Sequence, residues 1–225
     1  QCEKKGIISA NVSYKRTQEI LPEDKLRNRL VAGHLDPLDE LVGHSEFLWE
    51  KDAVLFPKKF AGKFALLHRL RPDIQIVYFH NFSELTTNFW ENYLKEINNF
   101  IVLQPKYDFE NLYIGGGCPP IETERGWLLI YHAVEKNSQG KTYHAGAALL
   151  DKNDPTQVIG RLKDPLFSPQ ETWEKSGSVD NIVFPTGAVV KDGQLYIYYG
   201  AADKLIAAKS VLLEELLKQL LPTDR

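Results

Sequence analysis

Lys191-Asp-Gly193 followed by Gln194-Leu-Tyr-Ile-Tyr-Tyr199-Gly200 sets the reading of the whole chain. Leu195, Ile197 and Tyr199 alternate with Tyr196 and Tyr198. A period of two sends successive side chains to opposite faces of a strand. Asp192 and Gly193 tolerate positive φ and suit the tight turn that feeds it. Working outward, the pattern of a short stretch, a glycine and an apolar strand closing on a polar residue occurs three times. Asp52-Ala-Val-Leu-Phe-Pro57 precedes Gly62 and Lys63-Phe-Ala-Leu-Leu-His68-Arg69. Pro119-Pro-Ile-Glu122 precedes Gly126 and Trp127-Leu-Leu-Ile-Tyr-His132, and Asn181-Ile-Val-Phe-Pro185 precedes Gly193. The glycines recur at intervals of 64 and 67 residues. Hairpin-like units at a fixed period argue for radial repetition, as in a β-propeller, over a sandwich.

Further strands are expected at residues 74–79 and 141–150, with an outer strand at 158–162 between two Asp-Pro turns. Two stretches fall outside the repeat. Residues 210–221 carry a Ser cap, early acidic residues and an apolar face, and Pro222 stops them, so a packing helix is expected. Residues 22–42, broken by Pro22, Gly33 and Pro37, read as helix, loop, helix. The expected organisation is one partial all-β domain over 1–225. Residues 1–50 would be the remnant of a preceding unit with a helical insertion, 51–209 three repeat units, and 210–221 the C-terminal helix.

Composition narrows the function. The 225 residues include 10 Tyr, 11 Phe and 4 Trp, and the formal charge is −3. Lys and Arg are interspersed with Asp and Glu, which argues against a nucleic-acid surface. No apolar run is long enough for a transmembrane helix, so no membrane partner is expected. Cys2 and Cys118 form no disulfide framework, and the six His residues lack zinc-ligand spacing, so no metal is expected. Gly115-Gly116-Gly117 lacks the Gly-Lys-Ser/Thr ending of a phosphate loop. The N-terminus, Gln1-Cys2-Glu3, has no initiator Met and no apolar signal segment, and is read as a truncated beginning. Compartment is otherwise unmarked, with the cytoplasm favoured.

Polar residues gather where the repeated strands end: Lys51, Asp52, His68 and Arg69; Glu122 and His132; Tyr199 and Asp203. In a propeller such positions can converge on a central channel. Carboxylates and His for hydroxyls, with aromatic faces for the ring, are what a sugar site requires.

Six stretches then carry a resemblance. They are Trp49-Glu-Lys-Asp-Ala-Val-Leu-Phe-Pro57, Phe64-Ala-Leu-Leu-His-Arg69, Gly126-Trp-Leu-Leu-Ile-Tyr-His132, Tyr143-His-Ala-Gly-Ala-Ala-Leu-Leu-Asp151, Asn181-Ile-Val-Phe-Pro185 and Tyr198-Tyr-Gly-Ala-Ala-Asp203. In this order they resemble glycoside hydrolase family 130. The resemblance implies a five-bladed β-propeller acting on β-mannosides, of which this chain covers about the last three blades. It implies an inverting reaction with no cofactor, using inorganic phosphate as co-substrate in the phosphorylases and water in the hydrolases. Residues 4–13 look like the end of the family's second blade. The family's general acid, an Asp in Asp-Pro-Arg, has no counterpart: Asp36, Asp154 and Asp164 precede Pro but not Pro-Arg.

By the same resemblance Arg69 matches a phosphate-contacting Arg, and Lys51 is expected beside it. His144 replaces an Arg, and Glu122 stands where phosphorylases carry Lys. A like-charge contact at about 4 Å costs on the order of 4 kcal/mol at an effective dielectric of about 20. Glu122 would therefore repel phosphate, and it is expected to be the general base of a hydrolase acting on a terminal β-mannoside. The alternatives are a phosphorylase using Lys51, Arg69 and His144 for the anion, or a non-catalytic carbohydrate-binding fragment. Asp203, Tyr199, His132, Asp52 and His68 are expected to bind the sugar. The expected partner is an oligosaccharide with β-linked mannose, and homo-oligomer formation stays open.

Overall fold

A computed structural model describes residues 50–221, together with the backbone of two short paired strands, β1 (Ser13–Lys15) and β2 (Phe47–Trp49). The expected helix-loop-helix at 22–42 lies outside the described residues. The remainder is mostly three antiparallel sheets, each a meander in chain order. The first holds β3 (Lys51–Leu55), β4 (Phe64–Leu70), β5 (Asp73–Phe79) and β6 (Ile101–Leu103). In the second, β7 (Tyr113–Gly116) and β8 (Ile121–Thr123) both pair with β9 (Gly126–Asn137), followed by β10 (Gly140–Leu150) and β11 (Val158–Arg161). The third holds β12 (Val183–Lys191), β13 (Gln194–Ala201) and β14 (Leu205–Leu212). No sheet closes on itself among the described residues.

The repeated glycines have a common cause. Gly62, Gly126 and Gly193 all hold positive φ (80°, 144° and 76°), each at the turn before the second strand of its hairpin. Ala61 and Asp192 also have positive φ, so two of the turns carry consecutive left-handed residues, the geometry that suits tight hairpins.

Burial explains why β9 is so apolar. Trp127, Leu129, Tyr131 and Ala133 face Ala65, Leu67, Ile74 and Ile76 of the first sheet. Leu128 and Ile130 face Leu195 and Ile197 of the third. The second sheet is thus buried on both faces, and alternate residues of one strand serve two cores.

Helices depart from expectation in two places. Helix α1 (Thr87–Lys95), capped by the Thr86 hydroxyl, covers the outer face of the first sheet with Trp90, Tyr93 and Leu94. It was not anticipated from sequence. After the single turn α2 (Thr172–Lys175), the C-terminal helix α3 runs Leu213–Leu220, not from Ser210. Ser210, Val211 and Leu212 instead pair with Tyr196, Leu195 and Gln194, because continuing the ladder satisfies their backbone groups. Leu216, Leu217 and Leu220 of α3 then seal the second core.

Two buried carboxylates brace the sheets in the same way. Glu110 accepts from the amides of Lys106 and Tyr107, from the Tyr131 hydroxyl (2.6 Å) and from Arg161 (2.6 Å). Glu174 accepts from the amides of Gln170 and Glu171, from the Tyr199 hydroxyl (2.5 Å) and from Lys209 (2.9 Å). Each ties the segment entering a sheet to that sheet's interior strand. Burial raises the Glu174 pKa, but the Tyr199 hydroxyl, two amides and Lys209 outweigh it and bring it down to about 2. A depressed carboxylate stabilises the fold above its unfolded pKa, and that contribution is lost as pH falls through the folded value. Wild-type thermal stability should therefore drop between pH 4.5 and 2 with a slope that Glu174→Gln lacks. Equal slopes for the two proteins in circular-dichroism melts would contradict this assignment.

Candidate functional site

Tyr113-Ile-Gly-Gly116 forms β7, and its glycines let the sheets meet. A Cβ on Gly115 would stand 2.5 Å from Asp52 Oδ2 and would collide with the His132 ring. One on Gly116 would stand 2.9 Å from the Asp52 carbonyl, and one on Gly117 3.0 Å from Pro185 of the third sheet. No side chain fits there, so β3 and β12 close in on β7. The three glycines are a packing device, consistent with their failing the phosphate-loop pattern.

Into that convergence Asp52 projects from a positive-φ position (57°) beside the β3 bulge. Its Oδ2 lies 2.9 Å from Arg69 Nε and 3.6 Å from His132 Nε2. Among the described residues neither Asp52 Oδ2 nor Arg69 Nε has a partner in hydrogen-bond geometry, so their attraction is Coulombic. Burial pushes the Asp52 carboxyl above its ordinary range, against the pull of Arg69, Lys51 and Arg71. His132 Nδ1 lies 3.2 Å from the Gly116 carbonyl, which can only accept, so Nδ1 carries the proton. Burial first, then Arg69, lowers the His132 pKa to about 3, and the ring is neutral. Its Nε2 lone pair and the Asp52 carboxylate thus offer two convergent acceptors, suited to a hydroxyl donor.

Aromatic groups enclose the cluster. His132 stacks on Phe184 of β12 (centroids 4.4 Å apart) and lies beside Tyr143. The guanidinium carbons of Arg69 and Arg71 stand 4.7 and 4.2 Å from the Tyr113 ring centre, and the Tyr113 and Tyr143 hydroxyls are 2.7 Å apart. Arg71, Tyr113, Tyr143 and Phe184 were not singled out from sequence as site residues. Strand parity could have found Tyr143, which shares a face with His132 across the β9–β10 ladder.

Of the residues expected in the site, the structure brings together Asp52, Arg69 and His132, with Lys51 next to Asp52 on β3. The others lie elsewhere. His68 is fully buried on the opposite face of β4, its Nε2 donating to Tyr93 and its Nδ1 3.0 Å from Glu50. Tyr199 is committed to Glu174 inside the third sheet. Asp203 is exposed in the β13–β14 turn. His144 faces away from Tyr143, bridging Ser168 (2.8 Å) and Glu135 (3.2 Å). Glu122 is exposed on β8, near Lys58 (3.3 Å) and Lys152 (3.9 Å). It pairs with Trp127, and His132 lies five residues farther along β9, roughly 17 Å at about 3.3 Å per residue. Glu122 therefore does not stand in this cluster. Among the described residues no group of His, Cys, Asp and Glu could hold a metal ion.

Comparison with known proteins gives this arrangement its relatives. A family described as beta-1,4-mannooligosaccharide phosphorylase, glycoside hydrolase family 130, matches residues 28–221. A 1,2-beta-oligomannan phosphorylase of Thermoanaerobacter sp. (strain X514) is 44% identical over 158 residues, 69% of this chain and 48% of the relative. A beta-1,2-mannobiose phosphorylase of the same organism is 41% identical over 80% of this chain and 56% of its own length. The solved beta-1,2-mannobiose phosphorylase from Listeria innocua, in complex with beta-1,2-mannobiose, superposes with a TM-score of 0.64 at 35% identity. It covers 76% of this chain and 46% of that one. The chain spans about half the length of these relatives.

A neutral, buried His132 has a direct signature. Its ring resonances should stay unshifted in an NMR titration from pH 8 down to pH 5, because the folded pKa lies near 3. A midpoint near the ordinary 6.5 would show that the ring is not held as described.

Proposed function

The chain belongs to glycoside hydrolase family 130, a family of glycosidase-type, carbohydrate-active enzymes, and on that footing we propose a mannoside phosphorylase. The protein that contains this chain would cleave a terminal β-mannoside with inorganic phosphate. A β-1,2 linkage is favoured, since relatives at 44%, 41% and 35% identity are named for β-1,2-linked mannosides. The observation that carries this reading is the charge around Asp52: Arg69, Lys51 and Arg71 act on one carboxylate, beside a neutral His132. Arg69 beside Asp52 and Arg71 over the same Tyr113 ring favour a phosphate dianion, since an Arg fork suits its oxygens.

The preference for hydrolysis through Glu122 is set aside. That residue is exposed between Lys58 and Lys152, too far from the cluster to activate water there or to repel phosphate. The curated relatives, moreover, are named as phosphorylases.

In the proposed reaction, phosphate held by Arg69 and Arg71 attacks the anomeric carbon from the face opposite the departing oxygen. A carboxylic acid protonates that oxygen, the glycosidic bond breaks, and α-mannose 1-phosphate forms with inversion. Asp52 and His132 Nε2 accept hydrogen bonds from the mannose hydroxyls. The 225 residues contain no Asp-Pro-Arg, so the proton donor is assigned to a part of the protein beyond them. The three sheets are read as three blades of a five-bladed propeller.

The test is an assay of the intact enzyme on β-1,2-mannobiose with and without phosphate. The expected result is mannose 1-phosphate at a rate that rises with phosphate. Free mannose released at the same rate without phosphate would overturn the reading. In the same assay Arg69→Leu should raise the KM for phosphate roughly tenfold or more, as expected for a lost charge-assisted hydrogen bond.

A further inference from the structure

Strand β7 has a weakness that its surroundings correct. Its ladder with β9 covers Tyr113 to Gly116, opposite Val134, Ala133, His132 and Tyr131, with a flanking amide bond from Leu112 to the Val134 carbonyl and from Gly117 to the Ile130 carbonyl. Two of its four residues are glycines, with no side chain to key one face to a core. Short, glycine-rich strands specify their register poorly, and a slip of one residue exchanges the faces of every side chain.

At this place such a slip would be decisive. With Ile114 in place of Gly115 opposite His132, its side chain would enter the space where Asp52 Oδ2 approaches to 2.5 Å of a Cβ position. Slipped the other way, the Gly116 carbonyl would leave His132 Nδ1, now 3.2 Å away. Either shift would separate Asp52 from His132.

Two adjacent residues just before β7 prevent this. Glu110 is fully buried and reaches the Tyr131 hydroxyl (2.6 Å), on the residue opposite Gly116 at the far end of the strand. It also grips Arg161 on β11 (2.6 Å) and the amides of Lys106 and Tyr107. Asn111 exchanges two bonds with the backbone of Lys136, donating to its carbonyl (3.3 Å) and accepting from its amide (2.8 Å). Lys136 lies on β9 beyond the near end of the pairing. Both contacts therefore anchor the segment that enters β7, while at its far end the Gly117 amide donates to the Ile130 carbonyl (3.2 Å).

We propose that Glu110 and Asn111 are positioning residues, a register lock that holds the glycine strand so that Asp52 and His132 meet. They touch neither Asp52 nor His132 and act through β7. Only the catalytic arm of the test below rests on the phosphorylase reading.

The experiment compares the intact protein with Tyr131→Phe, Asn111→Ala and the double variant. Tyr131→Phe leaves the Glu110–Arg161 pair in place, so no buried charge is stranded, and the single variants carry the readout if the double one does not fold. The primary readout is the 15N signature of the His132 ring, which reports the proton on Nδ1 and its bond to Gly116 without reference to turnover. The double variant should keep its circular-dichroism spectrum but show a second His132 ring signal or lose the Nδ1–H signature. Its kcat/KM for mannoside phosphorolysis should fall at least tenfold, more than in either single variant. An unchanged single Nδ1–H signal would overturn the lock, whatever happens to melting temperature or rate. Absence of phosphorolysis in the wild type would count against the proposed function alone, because the ring signature would still be read.

Discussion

The distance at which the three sheets meet is set by side chains that are missing. At Gly115, Gly116 and Gly117 every Cβ direction is already filled, by Asp52 and His132, by the β3 backbone and Val54, and by Ile130 and Pro185. Because β7 is bare there, the Asp52 carboxylate of the first sheet comes within 4 Å of both Arg69 on its own sheet and His132 on the second. That closeness desolvates them, and desolvation shifts the pKa of Asp52 up and that of His132 down. The chemistry of the site is thus a consequence of how tightly bare backbone can pack.

Such packing needs bracing, and the chain supplies it repeatedly. His68, Tyr131 and Tyr199 occupy the same place, five residues after the first paired residue of their hairpins (Lys63, Gly126 and Gln194). Each meets a carboxylate that is almost wholly buried: Glu50, Glu110 and Glu174. Glu110 and Glu174 also pair with Arg161 and Lys209, and losing those cations would strand a buried charge at a typical cost of about 3–5 kcal/mol. Two binding residues suggested by the sequence, His68 and Tyr199, belong to this bracing.

The sequence disclosed the repeat because positive φ at a hairpin turn demands glycine or something close to it, and such residues stand out. It disclosed Asp52, Arg69 and His132 as polar groups at strand ends. His68 and Arg69 are neighbours, however, and a period of two puts them on opposite faces, so both could not line one site. The bracing carboxylates were missed although a signal was present. An aromatic residue precedes Glu at Trp49-Glu50, Phe109-Glu110 and Trp173-Glu174, close to the period of the glycines. Helix α1 was hidden because its apolar residues also read as loop between strands, and the start of α3 because Val211 and Leu212 suit a strand equally well. The surroundings of Glu122 were illegible for another reason: a motif position says nothing about depth, and this one is solvated between two lysines.

Whether the anion and the sugar meet between Asp52, Arg69 and His132 is decided by a crystal structure of the intact enzyme soaked with phosphate and β-1,2-mannobiose. Phosphate is expected on Arg69 and Arg71, and mannose hydroxyls within hydrogen-bond distance of Asp52 and His132 Nε2. Phosphate and sugar bound instead beside Glu122, Lys58 and Lys152, with the Asp52 cluster empty, would contradict that placement.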